Sequence, residues 1–258
     1  MNRLKQNALE WKFKPLLLTH FLAAFLMLSW LLEPTRSFWL YLDIELFWFF
    51  NNSLKDGSDL HRYFWALTNM KEFDKIIALF FLGIFVVHGL KKGRNLWGRH
   101  TGIMAALIIV LGIWTGYGNH TGIGQLLPIE RPSATLEFPD SFRLAQWSTE
   151  LKTKDSSPDS FPGDHGMILL IVASVVAYYF SKPYAWIAII FAFIGTLPRV
   201  VAGAHWLTDE IVGAVFIAML AFSWNFHTPI GEFIVQKVDQ ITMNILGRLG
   251  ITKTGSSG

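Results

Sequence analysis

The sequence predicts an all-α fold: an integral membrane six-helix bundle with one interfacial helix and an active site at its outer face. Three observations predict it. Of 258 residues, 52% are hydrophobic and only 16% are charged, too few charges to cover an ordinary water-soluble domain. The apolar residues gather into six runs free of Asp, Glu, Lys and Arg, long enough to fill most of a roughly 30 Å hydrocarbon core. The basic residues between the runs sort the loops to two faces. The same composition excludes disorder, a coiled coil and a secreted disulfide scaffold. The absence of cysteine excludes thiol chemistry and Cys-ligated zinc. A net charge of +3 is too small to suggest nucleic acid as a partner and suits a protein that meets anionic headgroups.

The first span is expected at about 16–32, uncharged between Lys14 and Glu33. Arg3, Lys5, Lys12 and Lys14 precede it as they would a signal peptide, but no small-x-small cleavage site comes before Pro34, so it reads as a retained anchor. From Phe38 to Leu54 the run FWLYLDIELFWFFNNSL is aromatic but interrupted by Asp43 and Glu45. Each would cost roughly 2.5–3.5 kcal/mol at a membrane helix centre, so this reads as a helix in the interface with Trp39, Tyr41 and Trp48 at headgroup level. Spans two and three follow at about 74–90 and 101–127, separated by Lys91, Lys92, Arg94 and Arg99. Spans four and five, about 165–181 and 183–198, meet in a tight turn at Ser181-Lys182-Pro183. With only about 16 uncharged residues each, they need flanking residues, bilayer thinning or neighbouring protein to complete the crossing. Span six is expected at about 209–230. One membrane-embedded domain, 1–254, results, and Gly255-Ser256-Ser257-Gly258 reads as a cloning remnant.

Six crossings put the basic residues before span one, between spans two and three, and at Lys182 on one face, which the positive-inside rule makes cytoplasmic. Both termini are then inside, and loops 33–75, 130–165 and 199–210 face outward. Ionisable residues at those outer helix ends must be paired or hydrated. They form three clusters: Glu130-Arg131-Pro132, then Asp159 to His165 within DSFPGDH, then Pro198-Arg199-x5-His205-x3-Asp209. His205 and Asp209 are four apart, one helical turn, so the carboxylate is expected to accept from one imidazole nitrogen and leave the other a lone pair. Arg131 and Arg199 bring two guanidinium forks, which suit a tetrahedral oxyanion. His165 lies at a helix N-terminus, where free amides favour an anion, and is placed to protonate a leaving oxygen.

The three clusters resemble the three-part signature of the type 2 phosphatidic acid phosphatase family: Lys-x6-Arg-Pro, Pro-Ser-Gly-His and Ser-Arg-x5-His-x3-Asp. The order and spacing fit over about residues 120–215. The resemblance implies a reaction needing no metal or other cofactor, in which His205 attacks phosphorus to form a phosphohistidine and Asp209 orients it. His165 would protonate the leaving group, and Arg131 and Arg199 would hold the phosphoryl oxygens, with Gly163 and Asp164 beside them in the second motif. The chain departs from the pattern at Gly124, where the family has lysine, and at Gly163, Asp164 and Pro198. Asp164 would repel a phosphoryl group, so it is expected to point away, to cap the fourth span, or to pair with a lysine or arginine. With SFPGDHG and GAHWLTD, these departures are similar to the branch of the family that makes lipid A 1-diphosphate. That branch moves the terminal phosphate of undecaprenyl diphosphate, a polyprenyl diphosphate, to the 1-phosphate of lipid A on the periplasmic side of a Gram-negative inner membrane.

A phosphotransferase and a phosphatase share the first half-reaction and differ in whether a second lipid or water attacks the phosphoenzyme. The segment from Pro132 to Asp164, with Phe138, Phe142, Trp147 and Phe161, is a cover that restricts water or a plain connector. A polyprenyl diphosphate phosphatase and a non-catalytic lipid transporter or scaffold are the alternatives. A metallohydrolase with His165, His205 and Asp209 as zinc ligands is another.

Overall fold

The structure, a computed structural model, describes residues 8–118 and 131–251. Gly124, Glu130, the far end of the third span and the terminal Gly-Ser-Ser-Gly lie outside the described residues. Within them the regular structure is helical throughout. In chain order it comprises α1 (Phe13–Leu31), α2 (Thr35–Asp56), α3 (Asp59–Thr68), α4 (Lys71–Lys92), α5 (Trp97–Gly118), the short α6 (Ala134–Glu137) and α7 (Leu144–Trp147), α8 (Asp164–Tyr179), α9 (Lys182–Val201), a π-helical turn at Asp209–Ala214 continued by α10 (Val215–Phe226), and α11 (Pro229–Arg248).

Five of these helices are long and apolar enough to cross a membrane: α1, α4, α5 with its leading turn, α9, and the π turn with α10. The sixth apolar helix, α8, has only 16 residues. It works at that length because it stands in the middle of the bundle, with Met167, Ile171, Val175 and Val176 buried against α5, α9 and α10. Outward faces of the peripheral helices are apolar, as lipid contact requires: Leu17, Phe21 and Phe25 on α1, Leu79 and Val86 on α4, Trp186 and Phe193 on α9. The chain is a multi-pass membrane protein. α4 outruns its expected span by a turn because Glu72 and Asp74 sit in its first turn and Lys91 and Lys92 in its last, each complementing the helix dipole.

One element differs from expectation. The sixth span stops at Phe226 and not 230: Thr228 caps a new helix, its hydroxyl accepting from the Ile230 amide, and Pro229 opens α11. α11 packs along α5 at the bundle end that carries Lys91 and Lys92, where Arg99 donates both terminal nitrogens to Glu232 at 2.9 Å. The α2 helix packs its buried stripe Asp43, Phe47, Asn51 and Leu54 against the loops at the opposite end. Trp39 donates to Ser29 and Trp48 packs on Phe138, while Tyr41 stays exposed.

Candidate active site

The site lies at the end of the bundle away from Lys91 and Lys92, and the end of α9 builds half of it. Gly203 has φ of +76° and closes the helix in a two-bond Schellman arrangement: the Ala204 amide donates to the Arg199 carbonyl at 3.0 Å and the Gly203 amide to the Val200 carbonyl at 3.1 Å. The His205 amide also donates to the Arg199 carbonyl, so backbone bonds set His205 in fixed relation to Arg199. A side chain at Gly203 would meet Thr135 at 2.7 Å and Phe47 at 2.8 Å. From there the chain passes His205 in a loop and enters the π turn, a helix form common at functional sites. Asp209 ties the two together, its Oδ2 accepting from the Trp206 amide at 2.8 Å.

His205 is 3% exposed. Its Nδ1 lies 2.8 Å from the Ser160 carbonyl, and Asp209 Oδ2 is farther at 3.6 Å. The expected tautomer lock therefore comes from Ser160. His205 is not on a helix, so the one-turn spacing does not apply, and Asp209 backs the ring electrostatically while capping Trp206. Nε2 faces Asp164 Oδ1 at 3.3 Å. Burial alone would push the imidazole down, but Asp164, Asp209 and nearby Glu210 hold it up at about 10.

His165, in the first turn of α8, points Nδ1 at the same Asp164 oxygen, 3.2 Å away, and Nε2 at Asp74 Oδ1, 2.9 Å away. Arg199, 2% exposed, donates to both oxygens of Asn69 at 2.9 and 2.6 Å and to Asp74 Oδ2 at 2.9 Å, and lies 3.0 Å from His165 Nε2. Arg131 is turned elsewhere: it donates to Thr208 at 2.7 Å, to Asp209 at 3.1 Å and to Asp43, and its guanidinium lies 4.7 Å above the Trp206 ring. Asp164 does not point away from the site. Besides the two imidazoles it has Lys154 Nζ 3.6 Å from Oδ2. Of the residues singled out in the sequence, His165, Arg199, His205, Asp209 and Asp164 converge, Arg131 joins them through Asp209, and the Gly163 amide donates to the Asp209 carbonyl at 2.8 Å; both arginines are engaged with protein groups.

Four participants were not singled out. Asp43 and Asp74 hold the two arginines, Lys154 pairs with Asp164, and Glu210 is buried with neither carboxylate oxygen hydrogen-bonded among the described residues. Glu210 also accounts for Gly163: a side chain at Gly163 or Gly166 would collide with its carboxylate. Asp43 had a signal, a charge inside an aromatic helix, which marks a residue that needs a partner. Burial raises its carboxyl above the usual range, opposed by Arg131 and Thr208. Below His165 and Asp74 runs a cleft of about 420 Å³ between α4, α5 and α8, otherwise apolar, walled by Ile77, Phe81, Phe85, Leu107, Leu111 and Val172 among others. Among the described residues no three His, Cys, Asp or Glu side chains are grouped to hold a metal ion.

The family model described as PAP2 superfamily matches residues 105–230, a stretch that contains His165, His205, Arg131 and Arg199. The lipid A 1-diphosphate synthase of Escherichia coli (strain K12) is 35% identical over 218 residues, covering 83% of this chain and 88% of that protein. The chain belongs to the PAP2 superfamily. It is an enzyme of the phosphatase and phosphotransferase class. No solved structure matches it.

Proposed function

We propose that this protein is a lipid phosphotransferase that moves a phosphoryl group from undecaprenyl diphosphate to the 1-phosphate of lipid A through a phosphohistidine on His205, with the site facing the periplasm. The observation that carries the reading is the convergence of His205 Nε2 and His165 Nδ1 on one oxygen position, 3.3 and 3.2 Å from it. Two imidazoles so placed suit attack and protonation on opposite sides of one small anion. In the first step the Nε2 lone pair of His205 forms a bond to the terminal phosphorus while the bond to the bridging oxygen breaks. His165, steadied by Asp74, gives its proton to that oxygen, releasing undecaprenyl phosphate. In the second step an oxygen of the acceptor's phosphate attacks phosphorus and the P–N bond breaks.

Arg199 supplies positive charge beside the phosphoryl oxygens, and Arg131 acts as a positioning residue that links Asp43 to Asp209 and Thr208. The apolar cleft supports a lipid donor. It opens beside His165, the group that protonates the leaving oxygen, and the hydrocarbon chain belongs to the leaving group. The printed name of the Escherichia coli relative supports lipid A as acceptor.

The competing outcome is hydrolysis. Purified protein is given undecaprenyl diphosphate labelled in its terminal phosphate, with and without lipid A. The expected result is label on lipid A and little free phosphate when lipid A is present. Free phosphate released equally fast in both samples would reject transfer in favour of a phosphatase.

A further inference from the structure

The Asp164 carboxylate is surrounded as a bound oxyanion would be. Its Oδ1 faces His205 Nε2 and His165 Nδ1, and its Oδ2 faces Lys154 Nζ at 3.6 Å. Both arginines of the site are committed to protein partners, Arg199 to Asn69 and Asp74 and Arg131 to Asp43, Thr208 and Asp209. Lys154 is a further cation of the site, and the group it faces is the Asp164 carboxylate that lies between the two imidazoles.

We propose that the Asp164 carboxylate occupies the seat of the phosphoryl group, and that Lys154 is a third phosphate ligand of that seat, so that the donor's terminal phosphate binds by displacing Asp164 from His205, His165 and Lys154. The inference rests on the phosphotransfer reading for the identity of the anion. Lys154 is built into position. Its carbonyl accepts from Asn69 Nδ2 at 2.5 Å and its amide donates to the Asn69 carbonyl at 3.3 Å, and the same Asn69 receives Arg199. Next to it Asp155 accepts from Arg143 at 2.6 Å and from the Ala145 amide at 2.9 Å. The strand of chain that bears Lys154 is thereby fixed relative to Arg199 and α8.

Exposure gives the direction of entry. The Lys154 and Asp164 side chains are 36% and 35% exposed, whereas His205 is 3% exposed. An anion from solvent therefore meets the lysine first, and a displaced Asp164 can rehydrate outside at little cost. A terminal phosphate carries more charge and more acceptor oxygens than one carboxylate, so it competes well for the same three donors. The seat also explains the acidic residue in this motif: until phosphate arrives, Asp164 occupies the histidine that would otherwise be open to other small anions.

The test uses the full-length protein in detergent and orthovanadate, a tetrahedral oxyanion, as probe, with binding followed by calorimetry. Lys154→Gln is expected to weaken binding about 10-fold or more, since a charge-assisted contact is lost. Lys154→Arg is expected to stay within about 3-fold of the parent, and Asp164→Asn to bind several-fold more tightly because the competing charge is gone. Thermal unfolding of each variant in the same detergent reports any loss of structure, which the tighter binding of Asp164→Asn would not follow. Equal binding by Lys154→Gln and the parent, or weaker binding by Asp164→Asn, overturns the proposal. If vanadate binding is unaffected by Lys154→Gln while His205 still becomes phosphorylated by the donor, only this inference falls. Absence of both vanadate binding and phosphorylation in the parent removes the phosphotransfer reading with it.

Discussion

His205 is held as an imidazolium by its neighbours, and that has consequences in two directions. Its raised value in the folded chain, about 10 against the usual 6.5, means that its protonation contributes stability fully present below about 6.5 and lost as pH rises through about 10. Attack on phosphorus needs the opposite form, with the Nε2 lone pair free. The groups facing the ring are Asp164, Asp209, Glu210 and the Ser160 carbonyl. Under the phosphotransfer reading, kcat/KM for the donor should rise with pH across the interval from about 6.5 towards 10. Asp164→Asn removes the strongest of the contacts that raise the value, so the rising limb should move to lower pH by about a unit or more. A pH profile of kcat/KM measures this directly, and an unmoved limb in Asp164→Asn would show that the carboxylate does not control the nucleophile.

The end of α9 and the start of α8 carry the site as rigid pieces. Gly203 at φ +76° is the hinge of the α9 terminus, and a side chain there is strained and also strikes Thr135 and Phe47. Gly203→Ala is expected to lower stability by about 1–3 kcal/mol and to reduce kcat more than it raises KM, because it moves His205 relative to Arg199. Thermal unfolding and steady-state kinetics check both parts, and an unchanged kcat would mean that the Schellman turn does not set the histidine. The sequence made much of this readable. Arg199, His205 and Asp209 stood out as one cluster because they are close in sequence, although a helix end and a loop take the place of the one-turn helical relation expected between His205 and Asp209. Asp43 showed locally that it needed a partner but not which one, since Arg131 lies 88 residues on, and Asp74 and Lys154 carried no local signal of their pairing with Arg199 and Asp164. Glu210 looked like an ordinary residue beside Asp209. Its fit against Gly163 and Gly166 and its charge near His205 give it a place.

Across the bundle, the helices supply a frame in which one end is polar and the body is apolar. Hydropathy made the apolar helices legible, including the short α8, since burial by neighbours leaves the apolar run intact. α11 was not legible as part of the bundle because its composition is mixed, and its anchor is the buried Arg99–Glu232 pair, which joins helices over a hundred residues apart. The Thr228-Pro229 cap was the available signal. That frame leaves the cleft between α4, α5 and α8 running from the membrane-facing body up to His165 and Asp74, so a lipid chain and a phosphate can be held at once by different parts of one fold. Whether the polar end performs covalent phosphotransfer is decided by trapping the intermediate. Purified protein is mixed with undecaprenyl diphosphate labelled in its terminal phosphate, quenched, and tested for label on the protein. The expected outcome is label that is acid-labile and base-stable in the parent and absent from His205→Ala. Label retained by His205→Ala, or no labelled protein in the parent during turnover, would contradict it.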